Sequence, residues 1–169
     1  GKTALARAVY GELPCTSGRI TRYAGHDGYD GVGFVSFELH RRLLDREASL
    51  DQSRFASGDI YQLTTAGQII QEGIARPDPL HFAQVTELLG IGKLLDRPLR
   101  ALSNGETRKT LIARALMRKP GILILDEPFD GLDEASRVRL EKVLGELISG
   151  GLHLLLITHR EDEIIEEIS

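Results

Sequence analysis

Hydrophobic positions recur along this chain with two different periods, and the switches between them predict strands and helices in turn. Residues 122–125 read Ile-Leu-Ile-Leu, and residues 152–157 read Leu-His-Leu-Leu-Leu-Ile. Short apolar runs bounded by helical patterns predict strands buried on both faces, as in a parallel sheet. Residues 32–37, Val-Gly-Phe-Val-Ser-Phe, predict a third strand. Elsewhere the period lengthens. Residues 134–149 place Leu140, Val143, Leu144, Leu147 and Ile148 on one helical face, and Gly150-Gly151 ends the helix. Residues 38–47 read as a helix with Arg41-Arg42 on its solvated face. Ser103 and Glu106 have capping-box spacing before a periodic stretch that reaches Met117, and Pro120-Gly121 breaks it. At the start, Ala4, Leu5, Ala6, Ala8 and Val9 favour a helix.

The middle of the chain has a different character. Residues 49–99 are polar with helical patches and no strand pattern. Thr65 and Gln68 form a capping box ahead of Ile69 and Ile70. Asp78-Pro79 is a helix start, with Asp as N-cap and Pro at the first helical position. Phe82, Val85 and Leu89 then share a face, and Gly90 ends the helix. These signals predict a helical insertion, residues 49–99, in an α/β core made of residues 1–48 and 100–169. Residues 11–31 are rich in Gly, and a short alternating piece at 19–24 predicts a hairpin or edge strand. Residues 160–169 predict a last helix with Glu161, Asp162 and Glu163 at its positive end.

Composition narrows the class. The 169 residues, 41% hydrophobic and 27% charged, suit one soluble globular domain with a real core. A net charge of −4 provides no global attraction to nucleic acid or an anionic membrane. The single Cys15 excludes an internal disulfide and suits a reducing compartment. No apolar run approaches the ~20 residues that span a bilayer, and there is no signal-peptide pattern.

Candidate chemistry gathers where strands end. Asp126 and Glu127 follow the 122–125 run directly, and ligands of open α/β sheets bind beyond the carboxyl ends of strands. A strand ending in Asp-Glu fits a Mg²⁺–nucleotide site, the first acid in the metal shell and the second polarising a water. It fits a solvated acidic turn equally well. Gly1-Lys2-Thr3 opening a helix matches the end of G-x-x-x-x-G-K-[ST], in which backbone N–H groups and the Lys hold phosphates and the Thr hydroxyl ligates Mg²⁺. The chain begins inside this motif without an initiator Met, so the natural sequence is expected to extend upstream. The helix start at Ser103 presents free N–H groups beside Gly105, a place for an anion or simply a good cap. His159 follows a strand as the acidic pair does.

The order of these signals is more specific than any one of them. Gly1-Lys2-Thr3, a helical insertion, Leu102-Ser103-Asn104-Gly105-Glu106, four apolars with Asp126-Glu127-Pro128, Gly131-Leu132-Asp133, and Thr158-His159 resemble the ATP-binding-cassette (ABC) ATPases over essentially the whole chain. The Leu-Ser-Asn-Gly-Glu stretch matches the signature motif that other P-loop proteins lack. The resemblance implies a P-loop NTPase fold, a mostly parallel α/β sheet flanked by helices, with the helical insertion of this class. It implies ATP and Mg²⁺ as cofactors. Gly1, Lys2 and Thr3 would hold the phosphates, with Thr3 and Asp126 on Mg²⁺. Glu127 would be the general base, and His159 would contact the γ-phosphate. Ser103, Asn104, Gly105 and Glu106 would bind the nucleotide of a second cassette, with Asp133 in the loop crossing that interface. The working unit would then be a homodimer or tandem pair.

The chain departs from the family pattern in two places. Phe37 stands where the family has a glutamine that contacts the metal and senses the membrane partner, with Glu38 beside it as a substitute. The signature has Asn104 for its first Gly and ends in Glu106 rather than Gln. At a finer level, residues 35–38, 102–111 and 123–133 are similar to the ModF group of tandem-cassette proteins, associated with molybdenum transport or photorepair. The resemblance leaves three readings open. They are the ATP-binding component of a transport system, cytoplasmic and peripheral to the inner face of the membrane beside a permease; a soluble ATPase acting in DNA repair or translation; and a nucleotide-binding fragment without turnover.

Overall fold

The computed structural model describes residues 1–15, 17–21, 31–57 and 63–160. The expected helix over 161–169 lies outside the described residues, as does most of the piece at 19–24; residues 19–21 are not in a strand. Three parallel strands, β1 (Val32–Ser36), β2 (Ile122–Asp126) and β3 (His153–Ile157), form a sheet in the order β1-β2-β3. The register aligns Ser36 with Asp126 and Asp126 with Ile157, so all three carboxyl ends reach one edge.

Strand β2 is central, and its alternation fills both faces. Leu123 and Leu125 join a large cluster with Ile70, Leu89, Ile91, Ile112 and Leu144, while Ile124 joins a small one with Ala6, Phe34 and Ile157. The large cluster sets the sheet against α5 (Asn104–Leu116) and α6 (Glu134–Ser149). The small one seats α1 (Lys2–Tyr10), whose single buried residue is Ala6, with Tyr10 against the Phe34 ring at 5.3 Å. β3 differs from the expected doubly buried strand. His153 and Leu155 are exposed, Leu155 at 43%, on the face of β3 opposite Leu154 and Leu156, which pack on the large cluster.

Phe37 also moves from its expected place. It is the first residue of α2 (Phe37–Ser57) rather than the last of a strand. The hydroxyl of Ser36 accepts the amide of Leu39 at 3.1 Å and so caps the helix directly at the strand end. Arg41 and Arg42 are exposed on α2, as expected. The helix runs on past residue 48 into the expected insertion.

There, α3 (Ala66–Gln71) begins at the Thr65–Gln68 capping box, and α4 (Pro79–Leu88) at Asp78, whose carboxylate accepts the amides of Leu80 and His81. An antiparallel bridge from Thr65 to Pro98 closes the base of this segment. Ile69, Ile70, Val85 and Leu89 share the large cluster with Val35 and Leu123, so the segment packs on the core rather than standing apart.

Candidate functional site

The amino end of α1 abuts the carboxyl ends of β2 and β3. Lys2 Nζ donates to the carbonyl of Thr158 at 2.6 Å, and Thr3 Oγ1 donates to Asp126 Oδ1 at 3.3 Å. Long-range packing thus joins residues 123 and 156 positions apart in the sequence. Asp126 is buried, and burial pushes its carboxyl above the ordinary 3.8. The nearby charges of Glu127 and Glu38 act in the same direction, against the Thr3 hydroxyl and Lys2.

Glu127 holds a left-handed backbone with φ 51°, unusual for a residue with a Cβ. Its amide donates to the carbonyl of Ile157 at 2.9 Å, which extends the β2–β3 pairing one step and turns the chain. One carboxylate oxygen, Oε1, lies 2.9 Å from His159 Nδ1. The other, Oε2, is buried and meets no hydrogen-bond donor among the described residues. His159 is 63% exposed and lies just beyond β3. Asp130, which sequence reasoning passed over, stands with Glu127 and His159 so that one donor atom from each lies within 4.8 Å of the others. A turn of three residues after Glu127 was the only local signal for it.

A second group forms at the start of α5. Ser103 Oγ accepts the Glu106 amide at 3.3 Å, Glu106 Oε2 accepts the Ser103 amide at 2.7 Å, and Glu106 Oε1 pairs with Arg97 at 3.2 Å. The side chains of Ser103 and Glu106 are therefore committed to the cap, Asn104 is exposed in this turn, and Gly105 is half-buried. Asp133 caps α6, accepting the Ser136 amide at 2.8 Å and its hydroxyl at 3.1 Å, which holds its carboxyl below the usual range. The two caps touch. A Cβ on Gly105 would lie 3.2 Å from Ser136 Oγ, so only Gly permits this approach without displacement.

Glu38 does not stand free beside Asp126. Its carboxylate pairs with Arg7 at 3.3 Å and with Arg42, and both arginines also pair with Glu12. This ring ties α1 to α2 at the position where the family pattern has its glutamine. It employs the acid as a fastener between helices.

The donor set fits Mg²⁺. Thr3 and Asp126 offer a hydroxyl and a carboxylate, hard oxygens at one point, and the buried free oxygen of Glu127 lies in the next residue. The raised pKa of Asp126 has a consequence for stability. The folded chain binds that proton more tightly than the unfolded one, so stability falls as pH rises through the raised value. Asp126→Asn removes the loss and still accepts the Thr3 hydroxyl. In metal-free buffer its melting temperature is expected to exceed the parent's at neutral pH, the gap opening as pH rises above 3.8. Scanning fluorimetry across pH tests this; a parent that is the more stable at neutral pH contradicts it.

Comparison with known proteins finds a matching family, related chains and a shared fold. The family described as ABC transporter matches residues 1–130. The ABC transporter ATP-binding protein ModF of Escherichia coli (strain K12) is 41% identical over 167 residues, 98% of this chain and 33% of that protein. The zinc import ATP-binding protein ZnuC of Pseudomonas syringae pv. syringae is 33% identical over 168 residues, 94% of this chain and 56% of that protein. The structure of cbiO1 from Clostridium perfringens, part of the ABC transporter complex cbiONQ, superposes with a TM-score of 0.67 at 24% identity. It covers 97% of this chain and 64% of that one, a likeness of fold alone.

Proposed function

Because the chain belongs to the ABC transporter family, we propose that it binds Mg²⁺–ATP at the carboxyl edge of its sheet and hydrolyses it as the ATP-binding component of an import system. The observation that carries this reading is the meeting of Lys2, Thr3, Asp126, Glu127 and His159 at that edge. Lys2 exchanges its bond to the Thr158 carbonyl for phosphate oxygens, while Gly1 opens the helix whose amides face them. Thr3 and Asp126 hold Mg²⁺, which when bound neutralises charge on the phosphates. Glu127 orients the attacking water and takes its proton. His159 fixes Oε1 of Glu127 and contacts the γ-phosphate. Such positioning and charge neutralisation is what phosphoryl transfer requires.

The turn at Ser103, Asn104, Gly105 and Glu106, with Asp133 beside it, completes the site of a second cassette. The active unit is then a homodimer or a tandem pair. Specific ATPase activity is expected to rise with protein concentration in parallel with dimer seen by sedimentation. A monomer with concentration-independent activity would remove the paired-cassette reading.

Among the described residues no helix is long and apolar enough to cross a membrane. The import reading therefore pairs this chain with a separate permease from the cytoplasmic side. The ring of Arg7, Glu12, Glu38 and Arg42 favours the second reading, a soluble ATPase switch, because Glu38 is engaged and Phe37 lacks a metal-binding group. For cargo, the motif resemblance to the ModF group points to molybdenum, whereas the relative ZnuC is named for zinc import. Deletion of the gene is expected to lower cellular molybdenum by mass spectrometry. Unchanged metal content would favour the soluble switch.

A further inference from the structure

The cluster of Glu127, Asp130 and His159 offers more than a base and its neighbour. It presents two carboxylates and an imidazole, with one donor atom from each inside a 4.8 Å span. Mg²⁺ favours all-oxygen surroundings, whereas a mixed nitrogen and oxygen set favours later transition ions such as Zn²⁺. The three residues of this set come from two strand ends. Glu127 and Asp130 lie in the turn after β2, and His159 lies after β3, joined by the bond from the Glu127 amide to Ile157. Glu127 Oε2 is buried with no hydrogen-bond donor among the described residues, so one lone-pair group in the cluster has no partner among them.

We propose that Glu127, Asp130 and His159 form a three-ligand site for a divalent transition-metal ion, distinct from the Mg²⁺ position at Thr3 and Asp126, and that an ion there inhibits turnover. A bound ion occupies the lone pairs that Glu127 needs to accept a proton. It also replaces the contact between His159 and Glu127. Metal binding and proton acceptance then exclude each other, which makes the cassette responsive to free transition metal. The inhibitory half rests on Glu127 being the base; the binding half does not.

Calorimetry with zinc alone, on the purified nucleotide-free protein, separates the two halves. One ion per chain is expected, with Mg²⁺ giving no competing signal. Asp130→Asn and His159→Ala should each weaken zinc binding by roughly tenfold or more. Cobalt substitution should give a visible ligand-field band that both variants lose. Circular dichroism confirms that the variants fold. Zinc binding that is absent, or unchanged in either variant, overturns the site. Zinc should also inhibit ATP turnover, and Asp130→Asn should retain basal turnover but escape that inhibition. Binding that is lost in both variants, together with equal inhibition of Asp130→Asn and the parent, would overturn the regulatory half while leaving the site.

Discussion

Replacing Glu127 by Gln is expected to lower ATP turnover by about 10²–10⁴-fold while leaving ATP affinity unchanged. Gln has the same shape and can still meet His159 Nδ1, which lies 2.9 Å from Oε1 in the parent. It removes only the capacity to take a proton. The left-handed backbone and the amide bond to Ile157 survive such a change, and the Gln amide nitrogen takes the place of the buried Oε2, so the variant tests chemistry rather than folding. Single-turnover kinetics beside calorimetry with ATP would separate the two quantities. Parent-like turnover would end the assignment of Glu127 as base. Turnover and affinity falling together would instead place its role in binding.

The second large effect concerns the seat of α1. Ile124→Ala removes the centre of the small cluster with Ala6, Phe34 and Ile157, and is expected to cost about 2–5 kcal/mol. That is a substantial share of the 5–15 kcal/mol by which domains of this kind are stable. Leu125→Ala should cost a similar amount, because Leu125 is equally buried, but on the other face of β2. The two variants are expected to part company in ligand affinity. Ala6 is the single buried residue of α1, so loss of Ile124 loosens the helix that carries Lys2 and Thr3. Loss of Leu125 leaves that contact in place. Urea unfolding gives the stabilities, and ATP titration under conditions where both variants are folded gives the affinities. Equal ATP affinities for the two would show that this cluster does not position the phosphate end of α1.

How much of this was legible beforehand depends on the range of the interaction concerned. The capping boxes at Thr65 and Ser103 formed as read, since each is closed by residues three positions apart. Asp78-Pro79 likewise started α4, and the 122–125 run became a strand in which Leu123, Ile124 and Leu125 are buried on both faces while Ile122 is exposed at its start. The boundary at Phe37 was misread because alternation continued one residue beyond the strand, while the Ser36 cap signal that overrides it is weaker. The exposure of Leu155 was misread because an apolar run is the same whether one face of its strand is covered or both.

The periods, the caps and the succession of motifs are written locally in the residues, because side-chain spacing and helix-end hydrogen bonds act over a few residues. That succession also carries the resemblance to the family. Three-dimensional packing is what brings Thr3 to Asp126, gathers His159 and Asp130 at Glu127, and engages Glu38 with Arg7 and Arg42. Those meetings follow from parallel register and from the packing of α1 against the sheet, which bring together side chains too far apart along the chain for any local pattern to pair.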